Sequence, residues 1–180
     1  MSSKKFFSPY KPTTGEQVRR ASCGVPIYVY SEIANLNPVF LPKLLGGRYN
    51  KAMIVLVQDP KNPDVGHWTC VVYSAKTDEY YFFSSYGGRP DEEKNSYIKE
   101  SDLLSSNQIN NFISDGLRIL FDQGKKIHYN EYEYQTIGDN TATCGIWCVA
   151  FILSGMNPTQ FHKYVLNNRL SAKYFFYKYF

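Results

Sequence analysis

Two stretches of the chain are continuously apolar. Residues 52–57 form an unbroken apolar run followed by Pro60, the pattern of a buried strand that ends in a turn. Residues 144–153 are apolar on all sides and are followed by Gly155, which predicts a buried helix. The same reasoning predicts two further strands, at residues 68–73 and 79–83. Three strands are therefore expected around His67.

Between these runs, apolar residues recur at helical spacing. Ser105, followed three residues later by Gln108, is typical of a capping box, and Gly124 is placed to end the helix. The apolar face of this predicted helix comprises Ile109, Phe112, Ile113, Leu117, Leu120 and Phe121. Residues 127–135 alternate like a strand, and the Asn-Pro pair at 157–158 predicts the start of another helix. The pattern as a whole predicts an α+β fold.

The two ends of the chain differ from its middle. Residues 1–22 are polar and basic and contain prolines, so we predict an arm that either moves freely or wraps the domain. A single domain is predicted over residues 23–180. The aromatic segment 174–180 is most simply a strand or another segment packed on that domain, with docking to a partner as the alternative.

Composition narrows the class of protein. Of 180 residues, 43% are hydrophobic and 17% aromatic, which suits one globular domain with a large core. No apolar run reaches the ~18 residues that span a bilayer, and the N-terminus lacks the apolar segment of a secretory signal. We therefore expect an intracellular protein without membrane contact.

Charge adds little to this picture. The net charge is +4, and basic residues near both termini permit DNA contact without demonstrating it. These residues are Lys4, Lys5, Lys11, Arg19 and Arg20 at one end, and Lys163, Arg169, Lys173 and Lys178 at the other. The mixed-charge run at 91–94 is interpreted as solvated surface.

The chain has four cysteines, Cys23, Cys70, Cys144 and Cys148. A reducing compartment and a core of sufficient size favour free thiols over disulfides. Zinc binding is disfavoured because His67 and Cys70 would face opposite ways on their strand, and no second ligand pair has finger-like spacing. We predict no metal and no cofactor.

Cys144 is predicted at the first turn of the buried helix. There, unpaired backbone N–H groups and the positive end of the helix dipole favour a thiolate, which is a nucleophile. The backbone N–H of Cys144 would face an oxyanion formed on a carbonyl under attack, and Gly145 leaves room for the substrate backbone. Most cysteines are instead small core residues, which is our interpretation of Cys148.

His67 is the candidate base for this nucleophile. It follows a predicted loop at 64–66, from which its side chain can enter a cleft and exchange a proton with Cys144. Trp68 faces the other side of the strand and is interpreted as core packing that also fixes the cleft floor. Gln135 precedes the loop back to Cys144, and its amide either completes an oxyanion hole or is simply solvated. The other histidines, His128 and His162, are interpreted as ordinary strand and surface residues.

These residues, in this order, resemble a known group of enzymes. Gly66-His67-Trp68, the strand end at 80–87, Gln135 and Thr143-Cys144-Gly145 are similar to the motifs of adenovirus-type and SUMO-protease-like cysteine peptidases. The similarity spans residues 52–155 and is greatest to the capsid-maturation proteases of virophages and polinton-like elements.

The resemblance implies both a fold and an activity. The fold is papain-like or SUMO-protease-like, with a central mixed sheet, flanking helices and the nucleophile at the N-terminus of a buried helix. The activity is that of a Cys–His–acid endopeptidase with a Gln oxyanion donor. Its substrates would be viral capsid precursors, often cut after small residues such as Gly, in the host cytoplasm or virus factory and in the virion.

Ser84 departs from the family pattern, because relatives carry Asp or Glu at that point. We expect Ser84 Oγ to accept a hydrogen bond from the distal nitrogen of His67, which holds the ring but supplies no charge. Ser84→Asp should then maintain or raise activity. Asp91, in the neighbouring loop, is the alternative orienting acid.

Two other functions stay open. The first is removal of ubiquitin or a SUMO-like modifier, although little chain precedes the motif core to hold a folded modifier. The second is a catalytically weak binding protein that kept the fold after losing the acid. Retention of His67, Gln135 and Cys144 together favours an active enzyme.

Overall fold

A computed structural model describes residues 6–138 and 140–180. Its strands form one sheet in the spatial order β1 (Ile27–Val29), β2 (Lys51–Asp59), β3 (Asn62–Ser74), β4 (Glu79–Ser84) and β5 (Lys126–Tyr129). The two outer pairs are parallel and the two inner pairs are antiparallel. The predicted α+β class is confirmed, with a mixed five-stranded sheet.

Helices pack around this sheet. They are α1 (Gly15–Ala21), α2 (Tyr30–Ile33), α3 (Leu41–Leu44), α4 (Glu92–Tyr97), α5 (Glu100–Ser105), α6 (Phe112–Asp122), α7 (Cys144–Ser154), α8 (Pro158–Asn167) and α9 (Ala172–Tyr179). A short 3-10 helix, Pro38–Phe40, precedes α3. No helix in the described part of the chain is long and apolar enough to cross a membrane.

The sheet separates two hydrophobic cores, because successive side chains of a strand point to opposite faces. Ile54, Trp68 and Phe83 belong to the core that contains α7, whose first nine residues are all buried. Val55 and Phe82 belong to the other core, formed with α2, α3 and α6. Burial on every side explains why the sequence of α7 is apolar all round.

Strand β3 is longer than predicted. Residues 64–66, expected as a loop, lie within the strand, where Gly66 pairs with Gln58 and His67 pairs with Val57. A Cβ on Gly66 would overlap the carbonyl oxygen of Val57, so this close strand pairing requires glycine. His67 therefore lies inside a paired strand rather than at its mouth.

The predicted helix start at Ser105 is wrong. Ser105 is the last residue of α5, and α6 begins at Phe112. Gln108 is buried, and its amide accepts from Gln58 N–H at 2.9 Å and donates to Gln58 C=O at 3.1 Å. This side chain therefore closes the end of β2 and caps no helix.

The helical spacing itself is largely correct. Phe112, Ile113, Leu117 and Leu120 are buried, whereas Phe121 is 64% exposed. Gly124 ends the helical segment with φ 88°, as predicted. The segment predicted as a strand over 127–135 pairs in β5 only as far as Tyr129. Helix α8 is capped by Asn157, as predicted.

The ends of the chain also differ from expectation. Residues 15–21 of the predicted arm form α1, whose Val18 and Ala21 enter the α7 core. Before this helix, the Pro9 carbonyl accepts a hydrogen bond from Ala142 N–H at 2.6 Å. The aromatic tail is helical rather than extended, since most of it lies in α9. Lys4 and Lys5 lie outside the described residues.

Candidate active site

Cys144 is the first residue of α7 and is only 5% exposed. The backbone N–H of Trp68 donates to its sulfur at 3.5 Å. Burial disfavours the thiolate, but hydrogen bonds from His67 and from the backbone of Trp68 and Gly145, with the charge of the imidazole, outweigh it. The net result is a lowered pKa for the Cys144 thiol.

The imidazole of His67 interacts with this thiol closely enough for each group to shift the pKa of the other. Burial disfavours its charged form, and its side chain is 14% exposed. Interactions with Cys144 and Glu93 reverse that effect and raise the pKa of His67 to about 9. At neutral pH His67 is therefore protonated, and the Cys144 thiol ionises more readily than an ordinary cysteine.

A hydroxyl and a carboxylate meet the distal nitrogen of the ring. His67 Nε2 lies 2.9 Å from Ser84 Oγ and 3.2 Å from Glu93 Oε2. Ser84 is the last residue of β4, and its hydroxyl lies where the sequence analysis expected it. Glu93 was not expected there.

These contacts determine which nitrogen faces the thiol. The Ser84 hydroxyl donates its one proton to Glu93, so it accepts from Nε2–H of His67. His67 Nδ1 is buried and makes no hydrogen bond of standard geometry to the described residues. Nδ1 is therefore the ring nitrogen left to interact with the Cys144 thiol.

An aromatic ring covers one face of the imidazole. The Tyr86 and His67 rings are stacked, with centroids 4.0 Å apart and an interplanar angle of 14°. The backbone N–H of Tyr86 also donates to Ser84 Oγ at 3.2 Å. A π-face against a charged imidazolium adds a favourable cation–π term and limits rotation of the ring.

Asp91, the alternative acid, does not face His67. Its carboxylate accepts from Tyr30 Oη at 2.6 Å and from Ser114 N–H at 2.8 Å. It is buried, and burial raises its pKa. The interpretation of residues 91–94 as solvated surface is also wrong, since Lys94 is 2% exposed.

Gln135 lies beside the start of α7. Its side chain is buried, and its oxygen accepts from Thr143 Oγ1 at 3.2 Å, one residue before Cys144. Its nitrogen donates to the Thr141 carbonyl at 2.6 Å. An amide nitrogen carries two hydrogens, and Thr141 takes one. The side chain is held by the protein rather than solvated.

The space next to Gly145 is filled by the protein itself. A Cβ at this position would overlap Thr13 Oγ1 and would lie 3.1 Å from both Trp68 and Val18. The indole N–H of Trp68 donates to the Thr13 carbonyl at 3.4 Å. Gly145 therefore makes room for the N-terminal segment, and its predicted place beside a substrate backbone stays a prediction. Trp68, 6% exposed, is core packing as predicted.

A cleft with a volume of about 490 Å³ opens beside His67. Its walls include Gly66, Tyr86 and Glu93 at the site, and Tyr97 and Ile137 further away. The cleft reaches His67 from the end of the sheet, and its described lining does not include Cys144.

The remaining candidates lie elsewhere. Cys148 is fully buried and donates to the Trp68 carbonyl, as expected of a core thiol, and all four cysteines are unpaired. His128 lies 3.5 Å from Glu79, and His162 stacks on Tyr132. Within the described ranges, no group of three His, Cys, Asp or Glu side chains is placed to hold a metal ion.

Sequence reasoning missed Glu93 for a physical reason. The resemblance to cysteine peptidases led us to expect an acid at the strand end, whereas Glu93 lies nine residues later, on α4. The chain reaches it through a turn in which Asp91 has a left-handed φ of 63°. One signal was present, since Gly88 leaves space that the Glu93 carboxylate fills.

Comparison with known proteins gives one informative similarity. The chain is 34% identical over 115 residues to a virophage protein, Uncharacterized protein V9 of Sputnik virophage. The aligned region is 63% of this chain and 62% of V9, so less than two thirds of the relative is covered. No protein-family model matches the chain. The similarity links the chain to a virophage protein and carries no activity with it.

Proposed function

We propose that the protein is a cysteine endopeptidase with the papain-like, SUMO-protease-like fold. One observation carries the proposal: a thiol at the N-terminus of a buried helix interacts with an imidazole that is itself held by Ser84 and Glu93. Such an arrangement favours a thiolate nucleophile and an imidazolium acid before substrate arrives. Neither charge is expected of two ordinary core residues.

The proposed mechanism assigns one task to each group. The Cys144 thiolate attacks the peptide carbonyl, and the oxyanion is held by the Cys144 backbone N–H and the Gln135 amide. His67 Nδ1 then gives its proton to the leaving amine. Water, deprotonated by the neutral His67, releases the acyl group from the sulfur.

The proposed substrates are viral capsid or other structural precursors, met in the infected cell and in the virion. The similarity to a virophage protein supports a viral setting. Removal of ubiquitin-like modifiers is the second candidate. A binding protein without catalysis has less support, because the Glu93 carboxylate lies 3.2 Å from His67 Nε2 although residue 84 carries no acid. DNA contact through the termini stays a proposal.

A thiol-directed electrophile tests the central claim. Iodoacetamide should label Cys144 rapidly at neutral pH, and His67→Ala should abolish that advantage, with Cys148→Ala as the control that leaves it intact. Slow and equal labelling of all four cysteines would instead support a binding protein.

Co-expression tests the substrate class. A structural precursor encoded in the same genome should be cut by the native chain and left whole by Cys144→Ala. Reaction with a ubiquitin or SUMO C-terminal probe, without cutting of the precursor, would favour the modifier-removing activity.

A further inference from the structure

Both carboxylate oxygens of Glu93 make hydrogen bonds at the C-terminal end of β4. Oε1 accepts from Ser84 Oγ at 2.7 Å and from Gly88 N–H at 2.9 Å, while Oε2 lies 2.9 Å from Ser84 Oγ. Oε2 also lies 3.2 Å from His67 Nε2, and the side chain is 14% exposed. These hydrogen bonds fix the Glu93 carboxylate beside His67, whereas a mobile surface glutamate would not make them.

The surrounding chain is shaped to accept this side chain. Gly88 is required, because a Cβ there would overlap the carboxylate and approach Glu93 Cδ to 2.7 Å. Its backbone N–H then faces Oε1 and fixes the carboxylate plane. The glycine thus serves the acid both by leaving space and by donating a hydrogen bond.

Helix α4 is held on both sides of Glu93. Before it, the Asp91 carboxylate joins Tyr30 and the N-terminus of α6 at Ser114. After it, the Lys94 ammonium donates to Asn111 at 3.2 Å and lies 5.1 Å from the centre of the Tyr30 ring. These contacts explain why Asp91 and Lys94 are buried although neither faces the thiol.

We propose that Glu93 is the carboxylate that orients and charges His67, acting directly on Nε2 and through the Ser84 hydroxyl. The charge that relatives place at the strand end is supplied here by a separate helix. Glu93 is a positioning residue, since it acts on substrate only through the imidazole. Its effect on cleavage rests on the proposed function, whereas its effect on the imidazole does not.

The experiment compares Glu93→Gln with Glu92→Gln, a matched change at the neighbouring and exposed glutamate. NMR titration of the His67 ring should show its proton affinity reduced about tenfold or more in E93Q and unchanged in E92Q. Iodoacetamide labelling of Cys144 at neutral pH should slow in E93Q alone, because a less basic ring stabilises the thiolate less.

A double variant tests whether the charge, rather than the shape of Glu93, is what matters. Ser84→Asp combined with Glu93→Gln moves the carboxylate to the strand end and should restore the His67 titration and the labelling rate. If the His67 ring of the double variant titrates as it does in E93Q, a carboxylate at residue 84 cannot replace the one at residue 93. That result would overturn the claim that the charge is what matters. E93Q that titrates like E92Q would overturn the assignment of Glu93.

Failure of this proposal can be told from failure of the proposed function. Titration and alkylation need no peptide substrate. If both respond to E93Q as expected while no precursor is ever cut, Glu93 orients His67 in a protein that is not a peptidase. If precursors are cut but E93Q titrates and reacts like E92Q, the peptidase stands and Glu93 has no role in it.

Discussion

At the scale of single residues, the site depends on opposing effects of similar size. Burial disfavours the charged form of both Cys144 and His67, yet the pKa of the thiol falls and that of the imidazole rises. Each charge is tolerated only because the other faces it, with Glu93 behind the ring. Removal of one partner would therefore leave the other buried without a counter-charge.

These shifts predict how activity depends on pH. Cleavage should rise as Cys144 ionises below the ordinary thiol range, and should fall as pH passes about 9, where His67 loses the proton for the leaving amine. Labelling of Cys144 by iodoacetamide should rise over the same acidic limb but should not fall above it, because alkylation needs no proton donor. Rates of both reactions over pH give the comparison.

The His67→Ala variant is the control for this profile. Its labelling curve should move up to the pH range of an ordinary thiol or above it, because burial without the imidazole disfavours the thiolate. A native protein that already labels with that ordinary curve would contradict the charged pair.

Sequence alone could locate the thiol and the base but not the acid. Cys144 begins a strongly apolar helix and His67 directly precedes the apolar run of β3, so their approximate places in the fold follow from the pattern. Glu93 sits on a six-residue helix of mixed charge, where no apolar period marks a buried side. The position of Ser84 beside His67 was predicted from the sequence. The negative charge that Glu93 brings to the same place was not.

At the scale of elements, one local sequence pattern is compatible with two different structures. Ser105 and Gln108 have the spacing of a capping box, and local hydrogen bonding would favour a helix there. The backbone groups of Gln58 bind this amide instead, because the pairing of β2 with β1 ends at Leu56 and leaves them without a strand partner on that side. Long-range demand of this kind cannot be detected in a short window of sequence.

Helix α6 offers a test of packing against helix propensity. Gly116 is buried in this helix, and a Cβ there would lie 2.8 Å from Leu41 Cβ and 3.0 Å from the Pro38 carbonyl oxygen. Alanine gains ~1 kcal/mol of helix propensity over glycine, but forced overpacking costs ~1–3 kcal/mol. We expect Gly116→Ala to destabilise the protein, lowering the melting temperature by a few degrees in calorimetry.

Arg118→Ala, an exposed change in the same helix, is the control and should shift the free energy of unfolding by less than ~0.5 kcal/mol. A stabilised Gly116→Ala protein would mean that α6 can move away from the 3-10 helix at Pro38–Phe40.

At the scale of the whole molecule, the site forms where three layers meet. The thiol comes from the α7 layer and the base from the sheet. The carboxylate comes from a helix held by Tyr30 and Ser114, which belong to the layer of α2 and α6. The geometry of the site therefore depends on the packing of both hydrophobic cores.

The N-terminal segment packs against the loop before α7 and against α9. Pro9 binds Ala142 N–H, two residues before the thiol, and Phe7 packs on Phe176 of α9 with ring centroids 5.5 Å apart. Deletion of residues 1–12 should remove both contacts while leaving the cap of α1 at Thr14. Exchange of the Ala142 amide hydrogen, followed by NMR or mass spectrometry, should become much faster.

A deletion of residues 1–5 keeps Phe7 and Pro9 and is the matched control. If the longer deletion left Ala142 as protected as the shorter one, the loop before Cys144 would be held by its own contacts, such as that of Gln135 with Thr143.

The Ser84 hydroxyl, which bridges His67 and Glu93, also has a consequence for sequence evolution. An acid at residue 84 beside Glu93 would place two negative charges in one small buried space, where one must take up a proton. Evolution can therefore exchange the acid between the two positions only in a coordinated way. Among related chains, we expect an acid at one position to exclude an acid at the other, and a glycine equivalent to Gly88 to accompany the helical one.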